Sequence, residues 1–464
     1  MEKIKIGYLP LYIKLYDDSS PKEREPLVAY MDMLVSMLRS QGLEIVMADE
    51  VCRVKEEFDR AAEKFNQAGV AAVITQHLAY SPSLESIDAL MRLDAPIIVL
   101  DTTVDYELLS VANYDDRIMA NHGIHGVQDM CSMLKRNGRP YYICAGHALH
   151  SNVISRTVAL CRAAAVRSAY RNARIGSVGG SFTGMGDFLI SDARYKSDIG
   201  AEVFYFEGQE VQDTLAAVSE EEITSEIAMD RKKYNVEVEN ESVYREATRS
   251  GLAIRKWMQK KQLTACTVNF LTLDICGLPK MPFPECCKIM ERGLGYAGEG
   301  DVLTAGLVGA LLSVYPNTAF TEMFCPDWEK DLILMSHMGE SNPNLAQWKP
   351  LLTDRPFNYN SCGDTVAMYT CQRDGNVTIL NLVPMNDSFT LILCPGKLLD
   401  VGLENGAYRK ANQGWFQPNL PLDEFLTQYS MAGGTHHSAI VYDVDIQELK
   451  AFGSMMGFDV VVIG

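Results

Sequence analysis

Two glutamates and two histidines stand in four short segments of the second half of the chain, each beside a turn or at the edge of an apolar run. Gly298-Glu299-Gly300-Asp301 opens a helical run. Phe320-Thr321-Glu322 follows an apolar segment. Asp331-Leu332-Ile333-Leu334-Met335 reads as a strand and delivers Ser336-His337-Met338. Gly433-Gly434-Thr435-His436-His437 adds a histidine pair at another strand start. Two carboxylates and two imidazoles on such edges suit an octahedral site for a divalent metal ion. Glu299 and Asp301 also read as acidic groups at a helix N-terminus, where free N–H groups and the helix dipole stabilise them. That explanation fits Glu322 less well, because Glu322 interrupts a β-like segment. A buried carboxylate without a partner is costly, and metal coordination offsets the cost. Adjacent residues on an extended chain point to opposite faces, so at most one of His436 and His437 is expected as a direct ligand.

The elements that must carry these groups follow from patterning. The 464 residues exceed one typical domain. Three domains are expected: 1–170, an N-terminal α/β domain; 171–320, a central α/β domain; and 321–464, a C-terminal β-rich domain. In the first, apolar strands Ile4–Tyr8, Leu43–Met47, Ala71–Thr75, Pro96–Leu100 and Tyr141–Cys144 alternate with helical patterns such as Leu27–Leu38. That alternation predicts a doubly wound, Rossmann-like parallel sheet. A second such unit is expected from Ala173–Val178, Val203–Phe206 and Cys266–Phe270, with a helix from Glu299 to about Val314. Beyond 320, strands Thr365–Tyr369, Val377–Val383 and Phe389–Leu393 predict an antiparallel β domain. Asp374-Gly375 predicts a hairpin between the first two of them.

Composition removes several function classes. A net charge of −18 argues against nucleic-acid or anionic-membrane partners, which need clustered Lys and Arg. The 12 cysteines include no CxxC pair, which argues against a zinc ribbon or thioredoxin-like site. Most lie in apolar runs, so a reducing cytoplasm is expected. No apolar run reaches the roughly 18 residues of a membrane span. The glycines between Gly176 and Gly186 follow a strand but do not match GxGxxG, and an ordinary loop is expected there rather than a phosphate cradle. Ser336-His337 lacks the GxSxG elbow of a hydrolase.

Taken in order, Gly295-Tyr296-Ala297-Gly298-Glu299-Gly300-Asp301 with Thr304-Ala305, then Phe320-Thr321-Glu322, Ser336-His337-Met338 and Gly433-Gly434-Thr435-His436-His437, resemble the two glutamate and two histidine motifs of L-arabinose isomerases. Weaker similarity includes Tyr80-Ser81-Pro82 and Gly146-His147. The resemblance implies an aldose–ketose isomerase acting on an open-chain sugar through an enediol. It implies Glu299 and Glu322 as acid/base groups, and Glu299, Glu322, His337 and His437 as ligands of a divalent ion, most simply Mn2+, although cobalt or magnesium also fit the ligand types. Which glutamate is the general base stays open; the one further from the ion is the better base. Tyr80, His122, His125, Met185, Phe270 and His436 are implied as sugar contacts. A homotrimer or homohexamer is implied, with sites shared between subunits. His122 and His125, read alone, also allow a second metal site or a plain polar loop.

The resemblance has departures. The family's Gly-Ser-Gln-His-Leu-Tyr-Gly-like segment is Gly7-Tyr8-Leu9-Pro10-Leu11-Tyr12 here, without the sugar-contacting glutamine; a second family glutamine aligns with His122; and no counterpart of the family's terminal helical tail is expected. L-Arabinose is therefore expected to be a secondary substrate. Two competing readings are a non-catalytic sugar-binding protein and an oxidoreductase built on the glycine loop; the missing fingerprint counts against the second.

Overall fold

A computed structural model describes residues 3–109, 114–401 and 407–464. The chain divides into two compact units, Met1–Ser168 and Ala169–Gly464.

The first unit is a parallel sheet of five strands, β1 (Ile4–Leu11), β2 (Leu43–Met47), β3 (Ala72–His77), β4 (Ile97–Asp101) and β5 (Tyr141–Ala145), in the order β2-β1-β3-β4-β5. Every residue of β3 is buried, as a strand covered on both faces must be. The helix Arg24–Ser40 buries Leu27, Met31, Leu34, Val35 and Leu38, a stripe at helical spacing. The helix Lys55–Ala68 stops at Gly69, whose left-handed φ of 61° ends it without a Cβ penalty.

The second unit begins with a four-stranded parallel sheet. Its strands are β6 (Arg174–Val178), β7 (Glu202–Tyr205), β9 (Ala265–Val268) and β10 (Gly295–Gly298), ordered β10-β9-β6-β7. Second-first-third-fourth is also the order of the first unit's opening four strands, so two doubly wound sheets follow one another. Strand β8 (Asn235–Glu237) leaves this sheet. It pairs in parallel with β13 (Leu351–Arg355), which pairs with β14 (Thr365–Tyr369), tying the central segment to the part after 320.

The remaining strands are β11 (Thr318–Asp327), β12 (Leu332–Ser336), β15 (Gly375–Pro384), β16 (Phe389–Leu399), β17 (Gly414–Pro418), β18 (His437–Tyr442) and β19 (Asp459–Val462). Antiparallel pairings run β15-β18-β11-β12-β17-β16, and β15 pairs again with β16, closing a six-stranded barrel. Strand β19 adds to β16 in parallel.

Three expectations need correction. No hairpin forms at Asp374-Gly375: β14 pairs with β13 and β15 with β16, so the chain changes sheets there. The turn residues mark a turn but not which strands it joins. The helix expected from Glu299 runs Val302–Leu312, because Glu299 (φ 62°) and Gly300 (φ 80°) are left-handed and Asp301 is the cap. Glu322 does not interrupt a strand; β11 runs straight through it. All twelve cysteines are free. No helix among the described residues is long and apolar enough to cross a membrane.

Candidate functional site

Strand register brings the barrel's contribution together. β11 lies between β18 and β12, and Glu322 is paired with His437 on one side and Ser336 on the other. His337 follows as β12 ends, and the Ser336 hydroxyl donates to the Asn412 carbonyl at 2.6 Å. Glu299 arrives from the parallel sheet. Its backbone N–H extends the ladder to the Val268 carbonyl at 2.9 Å, and its positive φ turns the chain sharply. Gly298 has to be glycine at this point: a Cβ there would lie 2.6 Å from His337 Cε1.

One ligand atom each from Glu299, His337 and His437 lies within 4.8 Å of the other two, and all three residues are buried. Among the described residues this is the one such group of His, Cys, Asp and Glu. Glu299 Oε2 is 3.4 Å from His437 Nε2, and Glu322 Oε2 is 3.9 Å from His337 Nε2. Phe320 packs against both imidazoles, with ring centres 4.8 and 5.0 Å away.

Behind each histidine stands a buried carboxylate that sequence reasoning did not assign to the site. His437 Nδ1 is 3.1 Å from Asp301 Oδ2. His337 Nδ1 meets Glu340 Oε2, and Glu340 Oε1 accepts from the Tyr296 hydroxyl at 2.8 Å. Both rings are thus held at Nδ1, leaving Nε2 for the site, an arrangement that fixes the tautomer and raises the basicity of metal-binding histidines. His437 Nε2 is fully buried and has no hydrogen-bond partner. An orphaned, buried imidazole nitrogen facing a carboxylate is costly in a bare protein and is what a cation would satisfy. The residues therefore fit a divalent ion. Asp301 was legible only as a cap, a role it also fills by accepting from Thr304 N at 2.8 Å. Glu340, three residues beyond His337 across the Gly339 turn, carried no pattern at all.

The two glutamates are driven apart. Burial opposes charge on Glu299, but contacts with His436 and His437 outweigh it and hold the carboxyl well below the usual range. Burial raises Glu322, and His337 only partly counters it. Burial would lower His437, yet Asp301 and Glu299 push it up to about 9. Burial would likewise lower His436, but Asp187 and Glu299 lift it to about 10.

His436 and His437 do not point to opposite faces: their ring centres are 4.2 Å apart, and both Nε2 atoms approach Glu299. The alternation rule fails because His436 lies in a bend before β18 begins, after the Gly433-Gly434 turn. Only His437 belongs to the metal-capable group.

The loop after β6 is not the plain connector its composition suggests. The Phe182 N–H donates to the Glu299 carbonyl at 3.1 Å, and the loop carries half-buried Met185. Phe270 packs edge-to-face on Phe182. In the first unit, Tyr80, His122 and His125 are gathered separately. His122 Nε2 is 3.1 Å from the Tyr16 hydroxyl, its ring centre is 5.8 Å from that of His125, and the Tyr80 hydroxyl donates to Asp129 at 3.2 Å. Tyr8 to Tyr12, where the sugar-contacting glutamine is missing, are all buried.

Comparison with known proteins gives two matched family models. The L-arabinose isomerase central domain matches residues 192–315, and the L-arabinose isomerase C-terminal domain matches residues 317–459. The L-arabinose isomerase of Aeromonas hydrophila is 24% identical over 411 residues, covering 86% of this chain and 81% of that protein. That of Clostridium beijerinckii is 26% identical, covering 86% and 82%. That of Shouchella clausii is 23% identical, covering 95% and 91%. A solved periplasmic solute-binding protein of an ABC transporter from Actinobacillus succinogenes, with bound D-allose, covers 67% of this chain and 92% of its own at 11% identity. Its TM-score is 0.19.

Proposed function

The chain belongs to the L-arabinose isomerase family as a divergent member, and from that premise we propose that it is a metal-dependent aldose–ketose isomerase of an open-chain pentose or related sugar. Isomerisation of a sugar follows from the family. The observation that supports the proposal best is the pair of histidines held at Nδ1 by Asp301 and Glu340, with both Nε2 atoms turned toward Glu299 and Glu322.

Glu299, His337 and His437 would hold the ion, with Glu322 beside them; Mn2+ suits this mixture of carboxylate and imidazole. When bound, the ion would polarise the sugar carbonyl and stabilise developing negative charge. The remaining work falls to the chain. An aldose becomes a ketose when the proton on C2 moves to C1 and the proton of the C2 hydroxyl passes to the C1 oxygen. Glu322 is the better carrier: it lies outside the tight three-residue group, and burial raises its carboxyl. It takes the C2 proton on one carboxylate oxygen and returns it to C1 of the enediol. Glu299, held ionised, is suited to the ligand role. His436 lies on the more open side, with about a third of its side chain exposed, and is suited to a sugar hydroxyl. Met185 and Phe270 would line the same opening.

Tyr80, His122 and His125 would complete the sugar site from the first unit of a neighbouring subunit, in a homotrimer or homohexamer. Twelve free cysteines suit the reducing cytoplasm. A non-catalytic sugar binder would have no use for carboxylates orienting both histidines.

The test is a panel of pentoses and hexoses incubated with and without Mn2+, scored for ketose, together with metal analysis of His337→Ala. Ketose from at least one aldose, dependent on metal, is expected, and His337→Ala should lose both activity and bound metal. Full metal content in His337→Ala would overturn the ligand assignment.

A further inference from the structure

The loop from Gly179 to Ile190 bridges the two halves of the site. At its start it is locked to the Glu299 turn: a Cβ on Gly300 would lie 2.2 Å from the Gly180 carbonyl oxygen, and one on Gly179 would lie 2.4 Å from Thr272 Oγ1. At its far end Phe188 is buried and stacks on His437, with ring centres 5.1 Å apart and planes 11° from parallel. Between these anchors stands Asp187. A single carboxylate oxygen, Oδ2, accepts from both the backbone N–H of His436 (3.1 Å) and its ring Nδ1 (2.6 Å).

Holding two donors of one residue on one oxygen fixes the direction of the ring. Nδ1 must carry a hydrogen toward Asp187, so Nε2 is on the opposite edge, 3.6 Å from Glu299 Oε2. We infer that Asp187 is a positioning residue: it holds His436 so that Nε2 is presented to a sugar hydroxyl beside Glu299, and it acts on the reaction only through that histidine. The inference rests on the isomerase reading of the site. The opposing account is an exposed ion pair of little consequence, since the two side chains are 38% and 31% accessible, and such pairs contribute about 0–1 kcal/mol.

The experiment uses the full chain as wild type, Asp187→Asn, His436→Gln and the double variant. The first readout needs no activity: imidazole 15N–1H spectra of metal-free, histidine-labelled protein, with the His436 signals assigned by their loss in His436→Gln. Asp187→Asn should shift the His436 nitrogens and weaken the Nδ1 hydrogen bond while most of the other seven histidines stay in place. The second readout is kinetic, on the sugar the wild type isomerises best. Asp187→Asn should lose at least tenfold in kcat/KM with Mn2+ affinity within threefold of wild type. The double variant should be no worse than His436→Gln, because the two residues act as one unit. Unshifted His436 signals in Asp187→Asn, or losses that multiply in the double variant, would overturn the inference. If the wild type isomerises no sugar, the isomerase reading falls, and the spectra alone decide whether Asp187 directs His436.

Discussion

Asp301 gives each of its two oxygens a separate task, and the tasks can be measured apart. Oδ1 caps the helix Val302–Leu312 through Thr304 N, and Oδ2 holds His437 Nδ1. Asparagine caps helices about as well as aspartate, so Asp301→Asn should keep the cap in the metal-free protein, and Asp301→Ala should cost roughly 1 kcal/mol more than Asp301→Asn. The bond to His437 is a different matter. Loss of a carboxylate behind a metal-binding histidine weakens metal affinity by about 10–100-fold, or roughly 1.4–2.8 kcal/mol. One effect works against this loss. Asp301 also helps hold a proton on His437, raised to about 9, and that proton must leave before Nε2 can bind an ion. Near neutral pH the wild type therefore carries a penalty that Asp301→Asn partly escapes, and the variant's deficit should widen as pH rises toward 9. The assay is calorimetric titration with Mn2+ under nitrogen at several pH values, beside urea unfolding in EDTA. Affinity within twofold of wild type at pH 9 would refute the ligand-orienting role. A metal-free Asp301→Asn destabilised by more than about 3 kcal/mol would show the carboxylate to be mainly structural.

Substrate preference should follow the buried Gly7–Tyr12 segment and His122: L-arabinose should not have the highest kcat/KM in a panel of aldoses, and finding that it does would contradict this. Shared sites predict complementation. An inactive His122→Ala/His125→Ala protein mixed with inactive Glu299→Gln should regain part of the activity once subunits exchange, and none if each chain builds its own site. In the core, Lys288 is buried against Glu226 (2.7 Å) and Asp230 (2.5 Å); Lys288→Met leaves Asp230 with only the Tyr244 hydroxyl, while Glu226 keeps Arg255, and should cost about 3 kcal/mol in urea unfolding. Burial resists charge on Glu226, but Arg255 and Lys288 hold it down at about 2 against an ordinary 4.5. Its contribution is thus complete above pH 4.5 and should vanish as pH falls to about 2; Asp230, raised by burial, offsets part of it.

The order of elements and the segments that bring Glu299, His337 and His437 together were legible because each leaves a local mark: an apolar run of strand length, a glycine beside a carboxylate, a histidine at a strand end. What was not legible depends on pairing between distant segments. Nothing local to Asp374-Gly375 tells that β14 and β15 belong to different sheets. Glu340 and Asp187 are surface-like letters in a sequence, and each matters only through a histidine, His337 or His436, that another part of the fold brings to it. The matching order of the two parallel sheets is likewise a property of topology that the two sequences do not share.

The turn at Glu299 shows why the glycines on either side of it serve the site rather than the helix that follows. A helix needs only a cap, and Asp301 supplies it. A left-handed glutamate costs on the order of 1–2 kcal/mol relative to ordinary backbone, so a sequence under pressure for stability alone would place glycine or asparagine there. The strain aims the carboxylate at His437. Gly298 is flat because His337 fills the space its Cβ would take, and Gly300 because the Gly180 carbonyl does. Each neighbour of Glu299 is thus shaped by a separate approach, one from the barrel and one from the loop that carries Asp187. The local cost is tolerable only because the barrel and the loop both close on this turn, and their closing leaves one carboxylate between two oriented imidazoles.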